Sequence, residues 1–217
     1  MIKAVIFDMD GLLIDSEPLW REACIKVFTK LNVPLTIKRA QETMGLRVDE
    51  VVEHWYALYP WGNLEKEKVV AEIVDAVINL IKSKGEMMEG VHEIIDLFES
   101  QHMPMAIASS SSVAIINTVL DKINVREKMK VIHSAEHEPY GKPHPGVYIT
   151  TAEKLGFLPT ECLAFEDSPN GVLSAKSAKM KCVAVPELSS KNDKRILIAD
   201  LVLNSLLDFK LETIEKL

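Results

Sequence analysis

Cysteine is scarce and scattered. Cys24, Cys162 and Cys182 stand far apart in the chain, so no C-x-x-C pair exists to hold a metal or to cycle as a dithiol. Each lies in an apolar segment, which predicts buried free thiols and agrees with a reducing compartment. Long apolar runs are missing: nothing approaches the roughly 18 residues of a membrane span, and acids begin at Asp8, too early for a secretory leader. An excess of positive charge is missing as well. The chain carries 25 basic and 32 acidic residues, a net charge of -7, which gives no basic footprint for nucleic acid. His54, His92, His102, His133, His137 and His144 share no metal-ligand spacing and read as surface or partly buried residues. There is no internal repeat and no low-complexity segment. These absences predict a cytoplasmic protein without a membrane or nucleic-acid partner, whose affinity for an anion comes from a local site. The residues are silent on oligomeric state, with a monomer as the default expectation.

With 47% hydrophobic residues among 217, the chain can bury a real core, as one large domain or as one domain with a modest insertion. Its organising stretch is the apolar run Ala4-Val5-Ile6-Phe7 followed by Asp8-Met9-Asp10-Gly11. The run lacks polar alternation, which predicts a strand covered on both faces, as in a parallel sheet. Asp8 and Asp10 then fall just past its carboxyl end, where ligands of open α/β sheets sit, and Gly11 lets the chain turn where a Cβ would obstruct. Taken alone, Asp-x-Asp-Gly is equally a turn whose acids accept local backbone hydrogen bonds.

Asp15 or Ser16 can cap a helix through about Leu31, with Pro18 in its first turn. From there to about Lys82 the pattern is helical, with apolar periodicity over Val48–Tyr59 and Val69–Ile81 and breaks at Pro34, at Tyr59-Pro60-Trp61-Gly62-Asn63 and at Gly85. Trp55, Tyr56 and Trp61 read as core of this segment. From Gly90 onward, helices alternate with strands at Met105–Ala108, near Val131–His133, at Leu163–Phe165, at Val183–Val185 and at Leu201–Leu203. Such alternation predicts a parallel sheet with helices on both faces. The expected architecture is an α/β Rossmann-like core over 1–15 and 84–217 with a small helical domain inserted at 16–83.

Polar groups end several of these strands: the Asp8/Asp10 pair, Ser109 opening a run of four serines, Lys142 between Gly141 and Pro143, and Glu166-Asp167-Ser168. Ser109 and Ser110 open a helix, a ready anion site, whereas Ser111 and Ser112 read as N-caps. A lone lysine is ordinarily a solvated charge, and Glu166-Asp167-Ser168 alone is also a helix cap. In order and type the four groups resemble the four motifs of the haloacid dehalogenase superfamily, and the likeness covers nearly the whole chain. Asp15-Ser16-Glu17-Pro18-Leu19-Trp20, Met44-Gly45-Leu46-Arg47 and Ala199-Asp200-Leu201-Val202-Leu203 are similar to the sugar-phosphate phosphatases of its β-phosphoglucomutase-like branch, those acting on hexitol phosphates and 2-deoxyglucose 6-phosphate.

The resemblance implies a phosphatase in which Asp8 is the nucleophile and Asp10 the acid and base, and in which Ser109 and Lys142 hold the phosphate. Four carboxylates at one sheet edge repel one another by about 1 to 4 kcal/mol per pair at 4 Å, so the cluster needs a cation, and all-oxygen donors suit Mg²⁺. By resemblance Asp8 and Asp167 give carboxylate oxygens and Asp10 its backbone carbonyl, with Glu166 bound directly or through water. The inserted helices resemble a cap, hinged near Leu13–Ser16 and Lys82–Glu86, whose Gly45 and Arg47 meet a small phosphorylated metabolite; Arg47 reads equally as a surface residue at a helix start. Two alternatives keep the fold: a β-phosphoglucomutase-type mutase and a non-catalytic phospholigand-binding protein. The mutases of this branch carry a histidine at the position of Trp20, linked to control of Asp10. An indole, with one donor and no acceptor, is not expected to reproduce that link.

Overall fold

The computed structural model describes residues 1–43, 45–187 and 190–216. Six strands form one sheet among them: β1 (Ala4–Phe7), β2 (Met105–Ser109), β3 (Met129–Ser134), β4 (Cys162–Glu166), β5 (Lys181–Ala184) and β6 (Leu201–Val202). Their order is β3-β2-β1-β4-β5-β6, with every pairing parallel. Strand order therefore reverses at β1, and the switch point opens a crevice at its carboxyl end. The helices are α1 (Glu17–Lys30), α2 (Ile37–Ala40), α3 (Val48–Leu58), α4 (Lys66–Lys84), α5 (Val91–Ser100), α6 (Val113–Lys122), α7 (Gly146–Leu155) and α8 (Pro169–Ser177). This is the Rossmann-like parallel sheet that the alternation of elements predicts.

Side-chain size differs between the two faces of the sheet. Val5, Phe7, Ile107, Leu163, Phe165 and Val183 face one layer, which includes α5 and α6. Ala4, Ile6, Ala106, Ala108, Ala164 and Ala184 face the other, beneath α7 and α8. Small residues let those two helices lie close to the strands, while the large ones build an aromatic centre in which the Phe7 and Phe165 rings stack at 5.2 Å. The three cysteines are free and buried, as their apolar settings predict.

Helices α1 to α4 stand between β1 and α5 in the chain. Phe28 meets Trp55 at 6.4 Å and Trp61 at 5.9 Å, and α4 buries Val69, Ile73, Val77 and Ile81 along one stripe. The segment before α3 is less regular than expected, with only the four-residue α2 and a 3-10 turn over Gln41–Thr43. The two links to the sheet layer run side by side: Asp15 N donates to Glu86 O at 2.9 Å and Met88 N to Leu13 O at 3.1 Å. Helix α4 ends at Lys84, within the expected Lys82–Glu86 segment, and the chain then runs back to the sheet layer.

Candidate active site

The site begins where β1 ends. Asp8 N donates to Phe165 O at 2.9 Å, which carries the parallel ladder one residue past the strand and fixes the Asp8 side chain at the switch point. Gly11 then adopts φ +74°, and a Cβ there would stand 2.3 Å from Asp167 Oδ2. Only glycine permits both the left-handed turn and that approach, so the turn brings the β1 acids against the acids that end β4.

Lys142 ties the two strand ends together. Its Nζ donates to Asp8 Oδ1 at 2.7 Å, to Glu166 Oε1 at 2.6 Å and to Ala108 O at 3.1 Å, and Tyr148 OH donates to the same Glu166 oxygen at 2.5 Å. The lysine is 3% exposed. Burial disfavours its charge, but Asp8 and Glu166 outweigh burial and hold the ammonium well above its ordinary range. Asp8 is pushed up to about 8, by burial first and then by Glu166 and Asp10, with Lys142 pulling the other way. Asp167 is raised by burial and by the charges of Asp8, Glu166 and Glu17. Fully ionised, the buried group would set three carboxylates against one ammonium, and that unmatched negative charge, added to burial, is what raises Asp8 and Asp167.

That donor set fits a hard divalent cation. One oxygen from each of Asp8, Glu166 and Asp167 lies within 4.8 Å of the others, with no nitrogen or sulfur donor among them, as Mg²⁺ prefers. Glu166 is the most committed of the three, since Oε1 pairs with Lys142 and Tyr148 while Oε2 accepts from Ser168 Oγ at 3.3 Å.

Asp10 occupies a separate cradle. Oδ1 accepts from Ser16 Oγ at 2.6 Å and Trp20 Nε1 at 3.0 Å; Oδ2 accepts from Ser111 Oγ at 2.7 Å and Ser109 Oγ at 3.4 Å. Three expectations change here. Ser16 stands at the N-cap position of α1 but makes no side-chain cap bond, because its hydroxyl is turned to Asp10. Ser111 is no mere cap: its carbonyl accepts from Ser134 Oγ at 2.6 Å, which turns its hydroxyl inward, where it lies closer to Asp10 than Ser109 does. Trp20 does reach Asp10, since its one donor suffices for a direct bond, although it offers no acceptor.

Asp8, Asp10, Ser109, Ser110, Lys142, Asp167 and Gly45 line one pocket, open to solvent. Glu166 lies behind Lys142, fully buried. Gly45 sits opposite, its carbonyl accepting from Ser110 Oγ at 3.2 Å; its neighbour Met44, part of the expected cap motif, lies outside the described residues. Arg47 is not where expected. Its guanidinium donates to Asp49 and, across to the sheet layer, to Ala135 O at 3.1 Å and Glu138 O at 2.8 Å, away from the pocket. Its donors find acceptors there, so in this structure Arg47 bridges α3 to the sheet layer and does not line the pocket. Among the histidines, His133 is buried between Glu138 at 2.7 Å and Lys154 at 2.9 Å and does not line the pocket.

Sequence reasoning passed over Glu17, Tyr148 and Glu50. Glu17 reads as an ordinary first-turn acid, and Tyr148 as one apolar position of α7. Glu50 Oε1 accepts from Gly141 N at 3.2 Å, across 91 residues of chain, a contact with no local signal.

Comparison with known proteins agrees with this geometry. The model of the haloacid dehalogenase-like hydrolases matches residues 5–185. Hexitol phosphatase B of Escherichia coli is 41% identical over 94% of this chain and 93% of its own. A phosphorylated carbohydrates phosphatase of Thermotoga maritima is 30% identical over 91% of this chain and 90% of its own. Among solved structures, a β-phosphoglucomutase from Clostridium difficile superposes with a TM-score of 0.88 at 26% identity, covering 100% of this chain and 96% of the other.

Proposed function

Since the chain belongs to the haloacid dehalogenase-like hydrolases, we propose that it is a Mg²⁺-dependent phosphatase of small phosphorylated sugars or sugar alcohols, acting as a monomer in the cytoplasm. One observation carries the reading: Lys142, buried between Asp8 and Glu166, lies in the same pocket as Asp10 on its own four-donor cradle. That gives one carboxylate prepared for a dianionic phosphate and a second placed to handle protons. The likeness to hexitol phosphatase B supports the choice of substrate, and no described helix is long and apolar enough to cross a membrane.

Asp8 is the nucleophile. With Lys142 on Oδ1, its carboxylate attacks phosphorus and the bond to the ester oxygen breaks, leaving an aspartyl phosphate. Asp10 gives its proton to the departing alkoxide. It then takes one from the water that attacks the acyl phosphate, and this second displacement releases phosphate and restores Asp8. Such acid and base assistance is worth about 10²- to 10⁴-fold. Ser109, the last residue of β2, and Ser110, in the turn that leads to α6, present hydroxyls and backbone N–H groups to the phosphoryl oxygens. Asp8, Asp167, the Asp10 carbonyl and Glu166, directly or through water, would hold Mg²⁺. When bound, the ion offsets the excess negative charge and lets a phosphate dianion approach Asp8. Helices α1 to α4 act as the cap that excludes water and presents Gly45 to the leaving group.

The test is a turnover screen across hexitol phosphates, 2-deoxyglucose 6-phosphate, fructose 1-phosphate and nucleotide monophosphates, with Mg²⁺ and with excess chelator. Hexitol and deoxyhexose phosphates should release phosphate only with Mg²⁺, and Asp8→Asn should be inactive with an unchanged circular dichroism spectrum. Full activity in chelator contradicts the metal assignment. Near-normal turnover by Asp8→Asn, once deamidation is excluded by mass spectrometry, contradicts the nucleophile.

A further inference from the structure

The mechanism leaves two charged side chains of the pocket without a task. Glu17, the first residue of α1, is 9% exposed and lines the pocket beside Asp10, yet it makes no hydrogen bond or ion pair among the described residues. Arg21, one turn further along the same helix face, lines the pocket too and likewise makes none. The walls around them are apolar, formed by Cys24, Leu35, Ala40, Leu46 and Val51. The Glu17 carboxyl is largely buried but keeps contact with the open pocket, so its oxygens are free to accept from a ligand, and burial makes such a bond worth more than one made in water.

We infer that Glu17 and Arg21 are the specificity residues of this pocket: Glu17 accepts hydrogen bonds from hydroxyls of the leaving group and Arg21 donates to them, which selects monophosphate esters of neutral polyols. The inference rests on the phosphatase reading. A hydroxyl suits both partners at once, because it donates to a carboxylate and accepts from a guanidinium. A second phosphate or a carboxylate on the substrate does not. It would meet Glu17 and Asp10 in the pocket, in a field to which Asp15 and Glu187 also add negative charge and Arg21 a positive one. The apolar walls carry the carbon skeleton, so selection comes from the hydroxyls.

The experiment compares kcat/KM of the full-length protein with Mg²⁺ for glucitol 6-phosphate, for para-nitrophenyl phosphate, which lacks hydroxyls, and for fructose 1,6-bisphosphate. The wild type should prefer glucitol 6-phosphate to the bisphosphate by at least tenfold. Glu17→Ala should lower the ratio of glucitol 6-phosphate to para-nitrophenyl phosphate kcat/KM by about tenfold or more, the order expected when a group built to bond a hydroxyl is removed, and mainly through KM. Glu17→Gln, which keeps shape and one acceptor, should fall between. A ratio unchanged in both variants overturns the inference, as does wild-type turnover of the bisphosphate equal to that of the monophosphate. If the wild type turns over neither monoester, the phosphatase reading itself fails and the inference with it.

Discussion

At the scale of single residues, the pocket trades stability for recognition, and Glu17 shows it. Burial, then Asp10 and Glu187, push its carboxyl up to about 7 from an ordinary 4.5, against a smaller opposing pull from Arg21. An unfolded chain therefore releases this proton at lower pH than the folded one does. Stability is lost as pH rises from about 4.5 to about 7 and then stays level. Every tenfold gain in proton affinity on folding corresponds to about 1.4 kcal/mol, so the loss is on the order of 2 to 3 kcal/mol for a side chain this deeply buried. Glu17→Gln cannot ionise. It should be more stable than wild type by up to that amount at pH 8 and nearly equal at pH 4.5, by urea unfolding in excess chelator. The same offset at both pH values would show that packing, not ionisation, sets the difference. The neighbouring Cys24 thiol is pushed up to about 12 by burial and by Glu17, so it stays protonated and contributes only to the apolar wall.

At the scale of elements, the contact that matters is the one between α3 and the loop carrying Lys142. Arg47, at the N-cap of α3, donates to the Ala135 and Glu138 carbonyls, Glu50 Oε1 accepts from Gly141 N, and Ser110 Oγ donates to the Gly45 carbonyl. Together these hold the inserted helices down over the pocket and brace the residue before the lysine. Gly141 supplies the room, since a Cβ there would stand 2.6 Å from Glu50 Oε2 and 3.0 Å from Arg47 Cγ. The carboxylate is the far end of a flexible side chain and can swing away, so Gly141→Ala should cost less than about 1 kcal/mol of stability, in the range of ordinary surface changes. It should nevertheless slow turnover about tenfold by undoing the latch. Glu50→Ala should do the same, and because both act on one contact the double variant should be no slower than either single one. Multiplicative losses in kcat would sink the latch. These contacts also mark the limit of reading the chain by eye. The strands past Gly90 were legible to within one or two residues, because apolar blocks are local signals. The acids were legible because they end those strands, and Lys142 because it stands between Gly141 and Pro143 in the order of the four motifs. Arg47, Glu50 and Ser111 were not, since their partners lie 88, 91 and 101 residues away and only the folded sheet brings them together.

At the scale of the whole molecule, the fold and the core acids leave hydrolase and mutase undecided, because both relatives superpose on the same frame: hexitol phosphatase B by sequence at 41% identity and a β-phosphoglucomutase by structure at a TM-score of 0.88. The pocket beyond the acids separates them. A mutase has to retain a sugar bisphosphate while it turns over, which requires cationic groups for a phosphate at the far end as well as the near one. Here Lys142 is committed to Asp8 and Glu166, and the guanidinium of Arg47 is bound to Asp49 and to two carbonyls. Arg21 is the remaining cation among the described pocket residues, and it faces Glu17. The far end therefore pairs one cation with one acid inside the added negative field of Asp10, Asp15 and Glu187, which suits hydroxyls and repels a second phosphate dianion. Trp20 adds to this by giving Asp10 a donor but no acceptor, so it cannot take a proton from Asp10 or pass one on. With β-glucose 1-phosphate, a trace of the glucose bisphosphate and Mg²⁺, the protein should release inorganic phosphate and form glucose 6-phosphate at less than a tenth of that rate. Both products are measurable in one reaction, by a phosphate assay and by coupled oxidation of glucose 6-phosphate. Isomerisation faster than phosphate release would assign the pocket to a mutase and leave the roles of Asp8, Asp10 and Lys142 intact, since both reactions pass through the same aspartyl phosphate.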